Sequence, residues 1–99
     1  MVPAAWPAAR LSHWQLLTRT RALEEQVFLL ACSAVGAHGG MRQGGHSMVI
    51  DPWGTVLGEA RTAEETVTVD VDMAEVARIR SELPVLRDRV LAIEAPAVR

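Results

Sequence analysis

Val27-Phe28-Leu29-Leu30-Ala31-Cys32-Ser33-Ala34-Val35 is a continuous apolar, partly β-branched run with no polar alternation. Coming straight after a helical stretch, it reads as a β-strand buried on both faces. Such a strand needs helices or a second sheet above and below it. A chain of 99 residues is one domain at most and buries only somewhat over ~60% of its unfolded surface. The elements around this strand are too few to cover both faces, so the chain reads as part of a larger layered α/β architecture.

Upstream of the strand, Ser12 with Gln15 spells a capping box, and Leu11 with Leu16 a hydrophobic staple. The periodicity predicts a helix whose buried face carries Leu16, Thr20, Leu23 and Val27, broadened by Trp14 and Leu17. Arg21 with Glu24 or Glu25 falls on the solvated side. Before the helix, Met1 to Ala5 resembles the end of a buried strand stopped by Trp6-Pro7. A strand beginning at the initiator methionine suggests missing upstream sequence; a disordered N-terminus is the other reading.

Downstream, Gly36 to Gly45 is a glycine-rich loop containing His38, Met41, Arg42 and Gln43. No Lys follows it and the next element reads as a strand, so it is not a phosphate cradle. Ser47–Ile50 and Thr55–Leu57 form a predicted hairpin around Asp51-Pro52-Trp53-Gly54, which has type I turn chemistry. Glu65 to Val71 alternates, with Val67, Val69 and Val71 on one face, and predicts a strand with one wet face. Asp72 with Glu75 opens a second helix, whose apolar stripe is Met73, Val76, Ile79 and Leu83 and which Pro84 ends. Residues 1–90 read as one unit and 91–99 as a loose tail.

Composition narrows the function classes. A net charge of −2 excludes a basic nucleic-acid stripe or a polybasic membrane anchor. The longest apolar run is about half a bilayer span, and the N-terminus lacks the regions of a secretory signal. With one cysteine, a reducing, cytoplasmic setting fits best. Cys32, His38 and His46 match no zinc spacing, so no metal or other cofactor is expected. Cys32 reads as a small buried apolar residue rather than a nucleophile.

Taken in order, Ala5-Trp6-Pro7, Arg10, His13-Trp14, Leu16-Leu17, Arg19, and Arg21 through Gln26 resemble a segment of the carbon–nitrogen hydrolase (nitrilase) superfamily. The similarity continues through Gly45-His46-Ser47, Ile50 to Gly54, Val69 to Asp72, Arg80, Pro84 and Arg87-Asp88-Arg89. Within that superfamily the aliphatic amidase and ω-amidase-like branches look most similar. The resemblance implies a four-layer αββα sandwich, of which this chain would hold the C-terminal portion. It also implies hydrolysis of non-peptide C–N bonds by a Cys nucleophile, a Glu base and a Lys, all upstream of the matched region. This chain contains no Lys, so no catalytic residue carries over and activity alone is not expected.

What carries over is pocket lining by Ala5, Trp6 and Pro7. The family's helix equivalent to Ser12–Gln26 lies at a subunit interface, which makes His13, Trp14, Leu17 and Arg21 interface candidates. The implied partners are a missing N-terminal half or a homologous subunit, with a small amide substrate in the complete enzyme. The alternative is a non-catalytic interaction module that associates with a full-length homologue.

Overall fold

The computed structural model describes residues 1–97. Its centre is a four-stranded mixed sheet in the order β1-β2-β5-β6. The strands are β1 (Val2–Ala4), β2 (Leu29–Ser33), β5 (Met48–Ile50) and β6 (Val56–Glu59). The N-terminal stub pairs parallel to β2, with Val2 opposite Ala31 and Ala4 opposite Ser33. Parallel neighbours need a crossover, and α1 (Leu11–Glu25) supplies it. The antiparallel half continues through β5 and β6.

The predicted nine-residue strand is shorter than its apolar run, and it alternates. Leu29, Ala31 and Ser33 are buried, whereas Leu30 is 50% exposed and Cys32 is exposed. The side chains of a strand alternate between faces, and at β2 only the face beneath α1 is covered within this chain. Cys32 is therefore not the buried apolar residue expected from sequence. It lies on the uncovered face of the sheet.

Helix α1 also departs from expectation. A short 3-10 turn (Ala8–Arg10) runs directly into it, so the cap position falls on Arg10 and no side chain caps the helix. Ser12 sits inside the first turn, and Gln15 donates instead to Glu59 Oε2 at 3.1 Å. The buried face is Trp14, Thr18 and Ala22, an i, i+4, i+8 row, with Leu11 packed against the same core. Leu16, Leu17 and Leu23 point outward, at 65%, 49% and 44% exposure. Thr18 Oγ1 donates to the Trp14 carbonyl at 2.7 Å, which lets a hydroxyl sit in the core. Arg21 and Glu24 pair at the surface as read from sequence, a contact worth little.

The β5–β6 turn forms as predicted. Asp51 Oδ1 accepts from the amides of Trp53 and Thr55, each at 2.9 Å, and the Gly54 amide closes on the Asp51 carbonyl. Replacing Asp51 with Ala should cost about 1–2 kcal/mol by leaving those amides without their acceptor. Urea unfolding would show it as a lower midpoint at constant slope.

Within the glycine-rich loop, β3 (Ala37–His38) and β4 (Met41–Arg42) pair as a small hairpin. Residues 65–71 join no ladder, contrary to the predicted strand. They remain extended, and Val67 and Val69 lie over Gly58, where a side chain would collide with them. Helix α2 (Ala74–Glu82) begins with Asp72 Oδ1 accepting the Ala74 amide, while Glu75 turns to Arg78 rather than completing a capping box. Of its stripe, Ile79 is fully buried and Met73 stays 65% exposed. Its end is tied to the end of α1 by Gln26 Nε2 donating to the Leu83 carbonyl and Arg80 to the Glu25 carbonyl. Residues 90–97 form no helix or strand and are exposed; the remainder of the 91–99 tail lies outside the described residues.

Candidate functional site

The carboxyl ends of the parallel pair β1 and β2 lie side by side, the position where open α/β sheets characteristically bind ligands. The chain leaves β1 through Ala5-Trp6-Pro7, and several contacts hold that loop. The Trp6 indole N–H donates to the Arg10 carbonyl at 2.6 Å, and the Trp6 carbonyl accepts from the Gly44 amide at 2.7 Å. Pro7 bridges to Gln43. The Trp6 ring packs on Trp14 with centroids 5.8 Å apart and planes tilted by 41°, a favourable aromatic arrangement. Trp14 in turn donates from its indole to the His46 carbonyl at 3.0 Å.

Gly45 and His46 complete the support. Both have positive φ, 64° and 59°, and the His46 amide donates to the Arg61 carbonyl while that of Gly45 donates to Ala34. The left-handed conformation is costly for His. Here His46 Nδ1 lies 2.8 Å from the Gly44 carbonyl, within hydrogen-bonding distance. The loop after β1, the hairpin loop and the segment after β6 are thus joined into one rigid rim.

Against this rim lies a cavity of about 520 Å³, lined by Ala5, Trp6, Pro7, Arg10, His13, Leu16 and Leu17. The three residues proposed from sequence as pocket lining all take part in it. Among the interface candidates, His13, Leu17 and Arg21 are exposed, but Trp14 is only 3% exposed within the chain's own core. Trp14 is not available to a partner. Its place in the outward stripe is taken by Leu16, which the sequence reading had turned inward. Arg10 was not singled out as lining; its spacing of three and seven residues from His13 and Leu17 places all three on one helical side.

The chain's one thiol is not at this cavity. Cys32 pairs in register with Pro3 on the uncovered face of the sheet, opposite the side packed by α1. Cys32, His38 and His46 do not gather, and among the described residues no group of three or more His, Cys, Asp or Glu could hold a metal. Two buried polar atoms near the rim, Ser33 Oγ and Gln43 Oε1, lack a hydrogen-bond partner among the described residues. No helix in the described residues is long and apolar enough to cross a membrane.

Comparison with known proteins agrees with this architecture. The family described as carbon-nitrogen hydrolase matches residues 6–81. A 2-oxoglutaramate amidase of Bacillus subtilis is 41% identical over 87 residues, covering 88% of this chain and 34% of that protein. A human omega-amidase is 40% identical over 79 residues, covering 79% of this chain and 29% of its own length. Among solved structures, a CN-hydrolase superfamily protein of Xanthomonas campestris superposes with a TM-score of 0.87 at 34% identity, covering 93% of this chain and 35% of that one. The chain thus spans about a third of the length of these relatives. With its α/β sheet, its carboxyl-end rim and the ordered match along most of its length, the chain belongs to the carbon–nitrogen hydrolase (nitrilase) superfamily, on the omega-amidase-like side.

Proposed function

We propose that this chain forms the C-terminal portion of a carbon–nitrogen hydrolase that cleaves a small amide to the acid and ammonia, and that it does not catalyse the reaction alone. The observation carrying this reading is the cavity between the loop after β1 and the outer side of α1. Ala5, Trp6 and Pro7 make it a shaped, largely apolar wall, and beside Arg10 and His13 its lining holds no Cys, Glu or Lys. Amide cleavage by a thiol needs a thiolate, a group to take its proton, and a donor for the developing oxyanion. These must come from the part of the family fold that this chain does not span.

The sheet supports the same reading. Leu30 and Cys32 lie uncovered on the face away from α1, with Val49 opposite Leu30 in register. An apolar sheet face is stable when another layer covers it. A second sheet, present in a longer chain or in a partner, would do so.

The purified 99-residue chain should release no ammonia from glutaramate above the blank. Co-expressed with the N-terminal two thirds of an omega-amidase relative, it should co-purify and restore turnover. Trp6→Ala in that complex should lower kcat/KM about tenfold through lost substrate positioning. Ammonia release by the chain alone, or full activity of the Trp6→Ala complex, would count against the proposal.

A second reading is favoured by the outer side of α1. His13, Leu16, Leu17 and Leu23 are exposed there. Arg10 and His13 lie at the N-terminal end of the helix, Arg19 and Arg21 in its second half, and Glu24 and Glu25 at its C-terminal end, where Arg21 pairs with Glu24. Two such helices packed antiparallel would set opposite charges against each other around an apolar centre. On this reading the chain associates with a full-length homologue without contributing to catalysis. Size-exclusion of the mixed proteins tests it: separate elution of both components excludes it.

A further inference from the structure

Arg10 and Arg42 line one groove of about 430 Å³, together with Pro7, Gly39 and Gly40. The two arginines come from different elements, the 3-10 turn before α1 and the β3–β4 hairpin. The Pro7–Gln43 bridge and the Gly44 to Trp6 hydrogen bond fix those elements against each other. No acidic residue lines the groove, and neither guanidinium takes part in a salt bridge among the described residues. Two cations lining one groove without an acidic neighbour give it a positive potential, which favours an anion.

The hairpin tip adds access. Gly39 and Gly40 have φ of 59° and 78°, the pair of left-handed residues that a two-residue hairpin turn requires. Nothing lies within 4 Å of where a side chain would project from either. The backbone there is open to an approaching group. Arg10 also lines the larger apolar cavity beside the groove, so a ligand held by its charged end at Arg10 has space for an aliphatic remainder.

We propose that this groove binds the carboxylate of a small organic anion, with Arg10 and Arg42 as its two cationic contacts. A carboxylate is planar and presents two oxygens, the geometry that a guanidinium fork matches. The site needs neither an amide nor a nucleophile, so it goes beyond the hydrolytic reading and can fail without it.

Titrating the ¹⁵N-labelled 99-residue chain with glutarate at low salt tests the proposal, with glutaramide as the uncharged analogue of the same shape. Saturable shifts are expected at Arg10, Gly39, Gly40 and Arg42 with glutarate and none with glutaramide. Arg42→Gln should weaken binding about tenfold, the scale of one charge-assisted contact. The Arg10→Gln/Arg42→Gln variant should lose it, while the Trp14 indole resonance stays in place as the sign of an intact fold. Equal shifts with glutaramide, non-saturating shifts with glutarate, or unchanged binding by the double variant would overturn the proposal. An undispersed spectrum of the parent chain would overturn it too, because the groove exists only in the folded hairpin.

Discussion

Replacing Trp14 with Ala should abolish cooperative folding of the chain. Trp14 is 3% exposed and central to the core formed with Ala22, Leu29, Ala31, Met48 and Ile50. Truncating a buried Trp to Ala costs about 3–5 kcal/mol through lost burial and the cavity left behind. The change also removes the indole donor from the His46 carbonyl and the ring on which Trp6 packs. Small domains are stable by only ~5–15 kcal/mol, and this chain leaves one sheet face uncovered, so the loss is decisive. Urea denaturation followed by far-UV circular dichroism should show no native baseline for the variant; a midpoint near that of the parent would refute the assignment. Leu16→Ala is the contrast: Leu16 is 65% exposed, and the expected change is within ~0.5 kcal/mol.

Gly45→Ala should be almost as damaging, for a backbone reason. Gly45 has φ of 64°, and a Cβ there would overlap the Arg61 carbonyl oxygen and press on Val35 Cγ1 at 3.2 Å and Thr62 Cα at 3.3 Å. The left-handed conformation alone costs a non-glycine residue roughly 1–2 kcal/mol. Carbonyl and Cα atoms cannot swing aside as a flexible side chain can, so the total should reach about 3 kcal/mol or more. Gly36→Ala separates the two contributions: its φ is 83°, but nothing lies within 4 Å, so only the conformational part remains. Thermal melts of the two variants should differ accordingly, and equal melting temperatures would show that the contact with Arg61 carries no weight. Because the Gly45 rim supports Trp6, the Gly45→Ala variant should also impair the complemented enzyme.

Local features of the fold were legible before any coordinates. Asp51-Pro52-Trp53-Gly54 encodes its own turn, because the Asp carboxylate and the fixed proline φ act within four residues. Pro84 marks the end of α2 for the same local reason. The expectation that Ala5, Trp6 and Pro7 line a substrate pocket came from the ordered resemblance to the family. It did not follow from periodicity.

What the sequence alone determined is the order of the main elements (N-terminal stub, α1, β2, the β5–β6 hairpin and α2) and the absence of Lys, and hence that the family's catalytic group cannot be assembled from this chain. Which side of each element faces inward was decided by the tertiary structure. Helix α1 carries apolar residues on more than one side, and its spacing permitted either Leu16 and Leu23 or Trp14 and Ala22 as the core row. Packing against β2 and β5 selected the second, where small Ala22 admits close approach and the indole of Trp14 finds the His46 carbonyl. The same holds for Cys32 and for residues 65–71. An apolar run states that a strand is suited to burial, but only a neighbouring layer or strand buries or pairs it. Here α1 covers one face of β2, and the other, bearing Leu30 and Cys32, stays open.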